Sequence, residues 1–144
     1  MSKVEKAVSC FEQGFLCSQA VLSTFSTDLG LDKETALKVS GAFGGGMARM
    51  GEVCGAVTGA YMVIGLKYSS TRAEDSGFRE KTYQLVKLFN DDFSSRNGSI
   101  KCKELLGCDI STSEGLQRAR DQKLFSSVCP NLIRDAANLL EKIL

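Results

Sequence analysis

The segment VCGAVTGAYMVIGL, residues 53–66, contains no charged residue and is mostly apolar. Its 14 residues, flanked by Glu52 and Lys67, fall short of the ~20 that a helix needs to cross a bilayer. Small residues recur within it at i, i+4 spacing: Gly55, Ala56, Gly59 and Ala60. Such a face lets the backbone of another helix approach closely. The segment therefore predicts a buried core helix and no membrane span.

The rest of the chain has helical rather than strand patterning. The chain has one proline in 144 residues and long stretches in which apolar residues recur with a helical period. It therefore lacks the frequent turn-forming residues that are typical of all-β proteins. We predict an all-α, single-domain bundle of five to six helices over residues 1–144. The first expected helix is an N-terminal stretch that pauses at Gly14 and resumes at Cys17, and the second is capped by Asp32 and ended by Gly44-Gly45-Gly46. A third helix covers residues 54–67, and a long fourth helix runs from Ser70 or Thr71 to Asn97. A fifth helix covers residues 113–125, and the last has Pro130 in its first turn.

The composition excludes several classes of function. The chain has no histidine, so a Ser-His-Asp triad, a mixed Cys/His zinc site and a His-ligated haem are impossible within it. Lysine and arginine total 18 against 17 for aspartate and glutamate, so the chain is nearly neutral. Its net charge gives no overall electrostatic attraction to nucleic acid or to an anionic membrane. The scattered basic residues, Arg120 among them, are interpreted as solvated helix faces. We therefore expect neither nucleic acid nor membrane as a partner.

The N-terminal residues point to an expected location. The sequence MSKVEKAVSC has no apolar run followed by a small-residue cleavage site, so no secretory signal is predicted and we expect a cytoplasmic protein. Structural thiols stay reduced in that compartment. Six cysteines therefore favour metal binding or redox chemistry over a disulfide framework.

Four of the six cysteines fall at or next to predicted helix N-termini: Cys17, Cys54, Cys102 and Cys129. Unpaired amide N–H groups and the positive end of the helix dipole favour anions there, which lowers a thiol pKa and stabilises a thiolate or a negatively charged cluster. Lys101 and Lys103 act in the same direction on Cys102. These four cysteines are the candidate redox-active or metal-ligating residues.

The other two cysteines, Cys10 and Cys108, receive weaker assignments. Cys10 lies near Val8 and Phe11 on an apolar stretch and is interpreted as a packing residue. Cys108, close behind Cys102, is compatible with a spare ligand, a resolving thiol or a packing residue. No C-x-x-C spacing occurs, so the local pattern predicts neither a thioredoxin-type pair nor a zinc ribbon.

Several motifs of the chain occur together in one known family. GFLCSQAV at residues 14–21, FGGGM at 43–47, CGAVTG at 54–59 and the later Cys102 and Cys129 resemble, in the same order, the bacterial and archaeal C_GCAxxG_C_C proteins, which are described as redox-active. The resemblance covers most of the chain and assigns Cys17, Cys54, Cys102 and Cys129 as the family cysteines. It also implies a relation to the iron–sulfur-binding part of split-Soret cytochromes, which makes an iron–sulfur cluster a candidate cofactor and zinc a less favoured one.

The glycine-rich segment before Cys54 has two interpretations. Gly44-Gly45-Gly46 followed by Gly51 suggests a phosphate loop, but neither G-x-x-x-x-G-K-[ST] nor G-x-G-x-x-G aligns to it and no strand precedes it. We predict instead a loop whose N–H groups form a concavity beside Cys54. In this concavity, Gly45, Gly46 and Gly55 would let backbone N–H groups form hydrogen bonds to a thiolate or a cluster sulfur.

Three functions remain open from the sequence. The first is electron transfer or redox sensing by a four-thiolate centre that exchanges electrons with an unidentified redox partner protein. The second is metal-free thiol–disulfide chemistry, with Cys54 as the attacking thiol and Cys17 or Cys129 as the resolving one. The third is a non-catalytic binding or accessory module with incidental cysteines. A homodimer is compatible with each.

Overall fold

The computed structural model describes residues 1–144 and contains helices and loops, with no β-strand. Eight helices have five or more residues: α1 (Lys3–Glu12), α2 (Cys17–Ser26), α3 (Lys33–Val39), α4 (Gly55–Tyr68), α5 (Ser76–Asn97), α6 (Cys102–Leu106), α7 (Ser113–Asp121) and α8 (Cys129–Ile143). Single helical turns lie at Gly44–Met47 and Leu124–Ser127, and a 3-10 turn lies at Thr27–Leu29. The predicted all-α class is confirmed. None of the helices combines the length and apolar composition that a bilayer crossing requires.

The prediction of five to six helices is too low because of two local features. Gly14 adopts a φ of 108°, in the left-handed region that favours glycine, and this separates α1 from α2. The segment after Lys101, expected as a turn, forms the short helix α6, which Gly107 ends at a φ of 75°. These two changes raise the number of helices to eight.

The long helix α5 also starts later than predicted. It begins at Ser76 rather than near Ser70 or Thr71. The hydroxyl of Ser70 accepts a hydrogen bond from the Arg72 N–H (3.0 Å), which holds this segment in a turn instead of capping a helix. The predicted end at Asn97 is confirmed, with Gly98 in the left-handed conformation.

Two other helices are shorter than predicted. α3 ends at Val39, and Ser40 closes its last turn by donating its hydroxyl hydrogen to the Ala36 carbonyl (2.7 Å). α7 ends at Asp121 because Lys123 adopts a left-handed φ of 56°. No local sequence pattern predicts either of these helix ends.

Helix α4, which carries no charge before Lys67 in its last turn, lies at the centre of the fold. It packs against α2, α5 and α8, and its residues Val57, Val63 and Ile64 are fully buried. Gly59 faces α2, since a Cβ built on it would lie 3.0 Å from the Ser18 carbonyl oxygen. The predicted small-residue face thus brings two helix backbones into contact.

The apolar interior has two parts. A main core joins residues of α1, α2, α4, α5 and α8, and a smaller cluster lies beneath α6 and α7. Cys54 belongs to the main core, Cys102 and Cys129 belong to the smaller cluster, and Cys17 packs against both. The four candidate cysteines therefore lie along the boundary between the two parts.

Replacing Gly59 with leucine should destabilise the protein by ~1–3 kcal/mol or more, because the contact with the Ser18 backbone leaves no space for a side chain. Gly65→Leu is the matched control, since a Cβ at this position on the same helix meets no atom within 4 Å. Urea denaturation followed by circular dichroism measures the difference. Equal midpoints for the two variants would contradict the contact between α4 and α2.

Candidate functional site

Each of the four candidate cysteines lies at the start of a helix. Cys17, Cys102 and Cys129 are the first residues of α2, α6 and α8, and Cys54 is the N-cap residue of α4. The helix-start positions predicted from the sequence are thus confirmed. All four cysteines line one cavity, although they come from four separate helices.

A short antiparallel contact holds the starts of α4 and α6 together. Val53 and Lys101 form an isolated β-bridge. On either side of it the Cys54 N–H donates to the Ile100 carbonyl (2.8 Å), and the Cys102 N–H donates to the Glu52 carbonyl (2.6 Å). The bridge therefore places Cys54 and Cys102 side by side. It also consumes their own amide N–H groups, which are not left for a thiolate.

Two glycines allow the backbone to approach the cysteines. A Cβ built on Gly55 would lie 3.0 Å from the Cβ of Cys17, and one built on Gly46 would lie 2.6 Å from the Cβ of Cys102. The second separation is shorter than real Cβ contacts, so a side chain at Gly46 would displace Cys102. Both glycines contribute to the wall that the cysteines share.

The glycine segment, predicted as a loop whose N–H groups form a concavity beside Cys54, is a compact left-handed turn. Five consecutive residues, from Gly45 to Arg49, have φ values between 53° and 69°. Three of them are not glycine, and each non-glycine residue in this region costs about 1–2 kcal/mol. The Glu52 N–H donates to the Gly46 carbonyl (2.9 Å) and ties the turn to the bridge segment. This conformation sets Gly46 against Cys102.

The cavity has a volume of about 320 Å³ and a mainly apolar wall. Besides the four cysteines, its lining includes the three glycines that we predicted to support a cofactor: Gly45, Gly46 and Gly55. Phe11, Phe15 and Phe125 contribute aromatic surface. The size lies at the lower end of the range for small-molecule sites.

Two arginines, Arg49 and Arg120, are the only charged residues in the cavity lining, and sequence analysis missed both. Arg120 was interpreted as part of a solvated helix face, yet it lines the cavity from α7. Arg49 is the last residue of the left-handed turn, and its proximity to the cysteine motif was the signal that the sequence offered. No local pattern distinguishes Arg120 from the other basic residues of α7.

Cys17 and Cys129 both line the cavity, and each is the main influence on the acidity of the other. The neighbouring Cys129 is the main reason that the pKa of Cys17 lies well above its ordinary value, and the neighbouring Cys17 is the main reason that the pKa of Cys129 lies below it. Burial and the nearby Cys54 raise the pKa of Cys17 further. Of the two thiols, Cys129 is the one whose pKa is lowered.

The expectation that a helix start lowers the pKa of every candidate cysteine is wrong for Cys17, whose pKa is raised as described above, and for Cys54 and Cys102. Burial raises the pKa of Cys54 to about 11 and that of Cys102 to about 12. The charges of the neighbouring cysteines raise both pKa values further. Loss of hydration outweighs the helix dipole at these two positions, so both thiols stay protonated at neutral pH.

The two remaining cysteines do not line the cavity. Cys10 is buried in the main core with its sulfur 3.9 Å from the Ser23 hydroxyl, as the packing interpretation predicts. Cys108 is half-buried and packs against the smaller cluster. Its charge contributes to the raised pKa of Cys102, so it lies near the site without forming part of the wall.

The arrangement of the cysteines also bears on whether the cavity can hold a metal ion. The structure contains no group of three or more cysteine or carboxylate side chains arranged to hold a metal ion. All six cysteines are free thiols. The cavity therefore presents four neighbouring free thiols, those of Cys17, Cys54, Cys102 and Cys129.

Comparison with known proteins gives one match. The family model described as "Putative redox-active protein (C_GCAxxG_C_C)" matches residues 15–143. No curated protein and no solved structure matches the chain. The matched range contains all four cysteines of the cavity and the glycine segment.

The Cys129 thiol should react with iodoacetamide at lower pH than an ordinary cysteine, whose pKa is about 8.5. A lowered pKa leaves more thiolate at any pH below the ordinary value, and the thiolate is the nucleophile. Mass spectrometry of the reduced protein, alkylated at a series of pH values, gives the midpoint for each cysteine. Cys54 and Cys102 should stay unmodified at neutral pH.

Two substitutions at Cys17 test the cause of this shift. Cys17→Ala removes the neighbouring thiol that lowers the pKa of Cys129 and should move the Cys129 midpoint to higher pH, whereas Cys17→Ser keeps a polar hydroxyl at this position and should move it less. An identical midpoint in the wild type and in Cys17→Ala would show that Cys17 does not stabilise the thiolate.

Proposed function

Because the chain belongs to the C_GCAxxG_C_C family, whose description is redox-active, we propose that it is a thiol redox protein in which Cys17 and Cys129 cycle between two thiols and one disulfide. The observation that carries the proposal is the position of these two thiols in the wall of one cavity, at the starts of α2 and α8, where each is the main cause of the shift in the other's pKa. We therefore assign the attacking thiol to Cys129 rather than to Cys54, which the sequence analysis had favoured.

The protonation states support this division of roles. Cys129 has the lowered pKa and so supplies the thiolate. Cys17 lies beside it as a protonated thiol, the state expected of a resolving cysteine before the first step. The buried Cys54 and Cys102 are poor nucleophiles at neutral pH because they stay protonated.

The cycle is two consecutive thiol–disulfide exchanges with a disulfide oxidant. The Cys129 thiolate attacks one sulfur of the oxidant, which breaks the S–S bond, forms a mixed disulfide and releases the first thiolate. Cys17 then loses its proton and attacks the Cys129 sulfur, which forms the Cys17–Cys129 disulfide and releases the second thiolate. The protein loses two electrons, and the oxidant gains them as two thiols.

Reduction reverses these steps and needs a dithiol donor or a redox partner protein. We place the cycle in the cytoplasm, where glutathione and thioredoxin keep thiols reduced and return such a site to its dithiol form. The same surroundings allow the site to respond to an oxidant rather than to remain permanently oxidised.

Oxidation of the reduced protein by a small disulfide should produce the Cys17–Cys129 disulfide as the main product, identified by peptide mapping. Cys129→Ser should abolish the reaction at the cavity, and Cys17→Ser should stop it at the mixed disulfide. Cys10→Ser is the control, since Cys10 lies outside the cavity and its loss should leave the product unchanged. A main product that joins other cysteines would contradict the proposal.

A second candidate is an iron–sulfur cluster, which the convergence of four cysteines on one cavity favours. Four thiolates are the usual ligands of such clusters, and Gly46 and Gly55 keep the shared wall free of other side chains. Cys17, Cys54, Cys102 and Cys129 would hold the cluster, which would supply one-electron transfer. Zinc would use the same thiolates without redox chemistry of its own.

The Cys54→Ser variant separates the two candidates because Cys54 is a ligand in one and a bystander in the other. In the dithiol protein, Cys54→Ser should still form the Cys17–Cys129 disulfide. In a cluster protein, anaerobic purification should give broad visible absorption with bound iron and sulfide, and Cys54→Ser should lose them. We expect the first result, and the second would replace the dithiol mechanism with the cluster.

A further inference from the structure

The charged residues that line the cavity are all positive. Of the residues that line it, only Arg49 and Arg120 carry a charge, and no carboxylate is among them. Both arginines are exposed, and neither forms an ion pair or a side-chain hydrogen bond with another residue of the chain. The two guanidinium groups are therefore free to bind a ligand at the exposed rim of the cavity.

The backbone around Arg49 strengthens this interpretation. Arg49 is the last residue of the left-handed run that starts at Gly45, and it reaches the cavity only because the chain keeps this unfavourable conformation. Arg120 reaches the same cavity from α7, a different element. Two independent segments thus place a cation at one apolar pocket.

The ligand that fits this arrangement has three properties. Guanidinium groups bind carboxylates through paired N–H donors, so a ligand that carries carboxylates matches the two arginines. The aromatic wall of Phe11, Phe15 and Phe125 accommodates an apolar body. The volume of about 320 Å³ suits a small molecule rather than a folded protein surface.

We propose that Arg49 and Arg120 select a small carboxylate-bearing disulfide as the oxidant of the cavity thiols. This inference rests on the dithiol function proposed above and names its substrate class. The arginines hold the carboxylates at the rim, which leaves the S–S bond of the ligand facing the cysteines. The Cys129 thiolate and then Cys17 displace the two halves of the ligand, so one disulfide is reduced to two carboxylate-bearing thiols as one protein disulfide forms.

The experiment compares two aromatic disulfides of different charge. The probes are dithiobis(nitrobenzoate), which carries two carboxylates, and neutral dithiodipyridine. A Cys10→Ser, Cys108→Ser background limits the reaction to the cavity cysteines. The measured quantity is the ratio of the two rate constants, because dividing by the neutral rate cancels any change in general thiol reactivity.

Neutralising either arginine should lower this ratio. We expect a decrease of about two- to fivefold for Arg49→Gln or Arg120→Gln, the range typical of exposed charge pairs, and a larger decrease for the double variant. Arg49→Lys and Arg120→Lys should restore part of the ratio because they keep the charge. Added salt should lower the ratio in the unsubstituted background as well.

Arg118→Gln is the matched control, since it removes the same charge from α7 at a position that does not line the cavity, and it should leave the ratio unchanged. Arg120→Gln also remains informative if Arg49→Gln disturbs the left-handed turn, because Arg120 lies in a regular helix.

The outcomes separate the two proposals. If neither probe oxidises Cys17 and Cys129, the thiol redox function fails and the substrate class fails with it. If both probes oxidise the pair and the ratio is the same in the arginine variants as in Arg118→Gln, only the role of the arginines is overturned.

Discussion

The close contact between α4 and α2 is the constraint on which the rest of the structure depends. Gly55 and Gly59 have no side chain where α4 meets the backbone of Ser18, so the two helices lie against each other at the centre of the fold. This contact brings the start of α4 to the start of α2 and therefore places Cys54 near Cys17. The β-bridge then adds Cys102, and α8 adds Cys129.

Local patterns were enough to predict the helical class, the buried central helix and the position of four cysteines at helix starts. Each of these features depends on spacing within one segment, such as the glycines of α4. The bridge between Val53 and Lys101 depends on residues far apart in the chain, and no periodicity reveals such a pairing. The inward position of Arg120 was missed for the same reason, since it follows from how α7 packs.

The acidity of the thiols shows how two opposing effects compete at a helix start. The dipole and free amide groups lower a thiol pKa, whereas the loss of hydration raises it. Cys54 and Cys102 are buried, and their own N–H groups are already bonded across the bridge, so burial dominates. Cys129 differs because the neighbouring Cys17 thiol lowers its pKa. The sequence reveals helix starts but not which thiol has such a neighbour.

The pairing of the first and last cavity cysteines has a consequence for biosynthesis. Cys17 lies on α2 and Cys129 opens α8, so a growing chain contains the first thiol long before the second has been made. Translation takes several seconds to cover the intervening residues, and during that time Cys17 lacks its partner in the proposed disulfide. If the pair functions as proposed, a reducing environment at the ribosome would keep the earlier thiols from mispairing before the fold is complete.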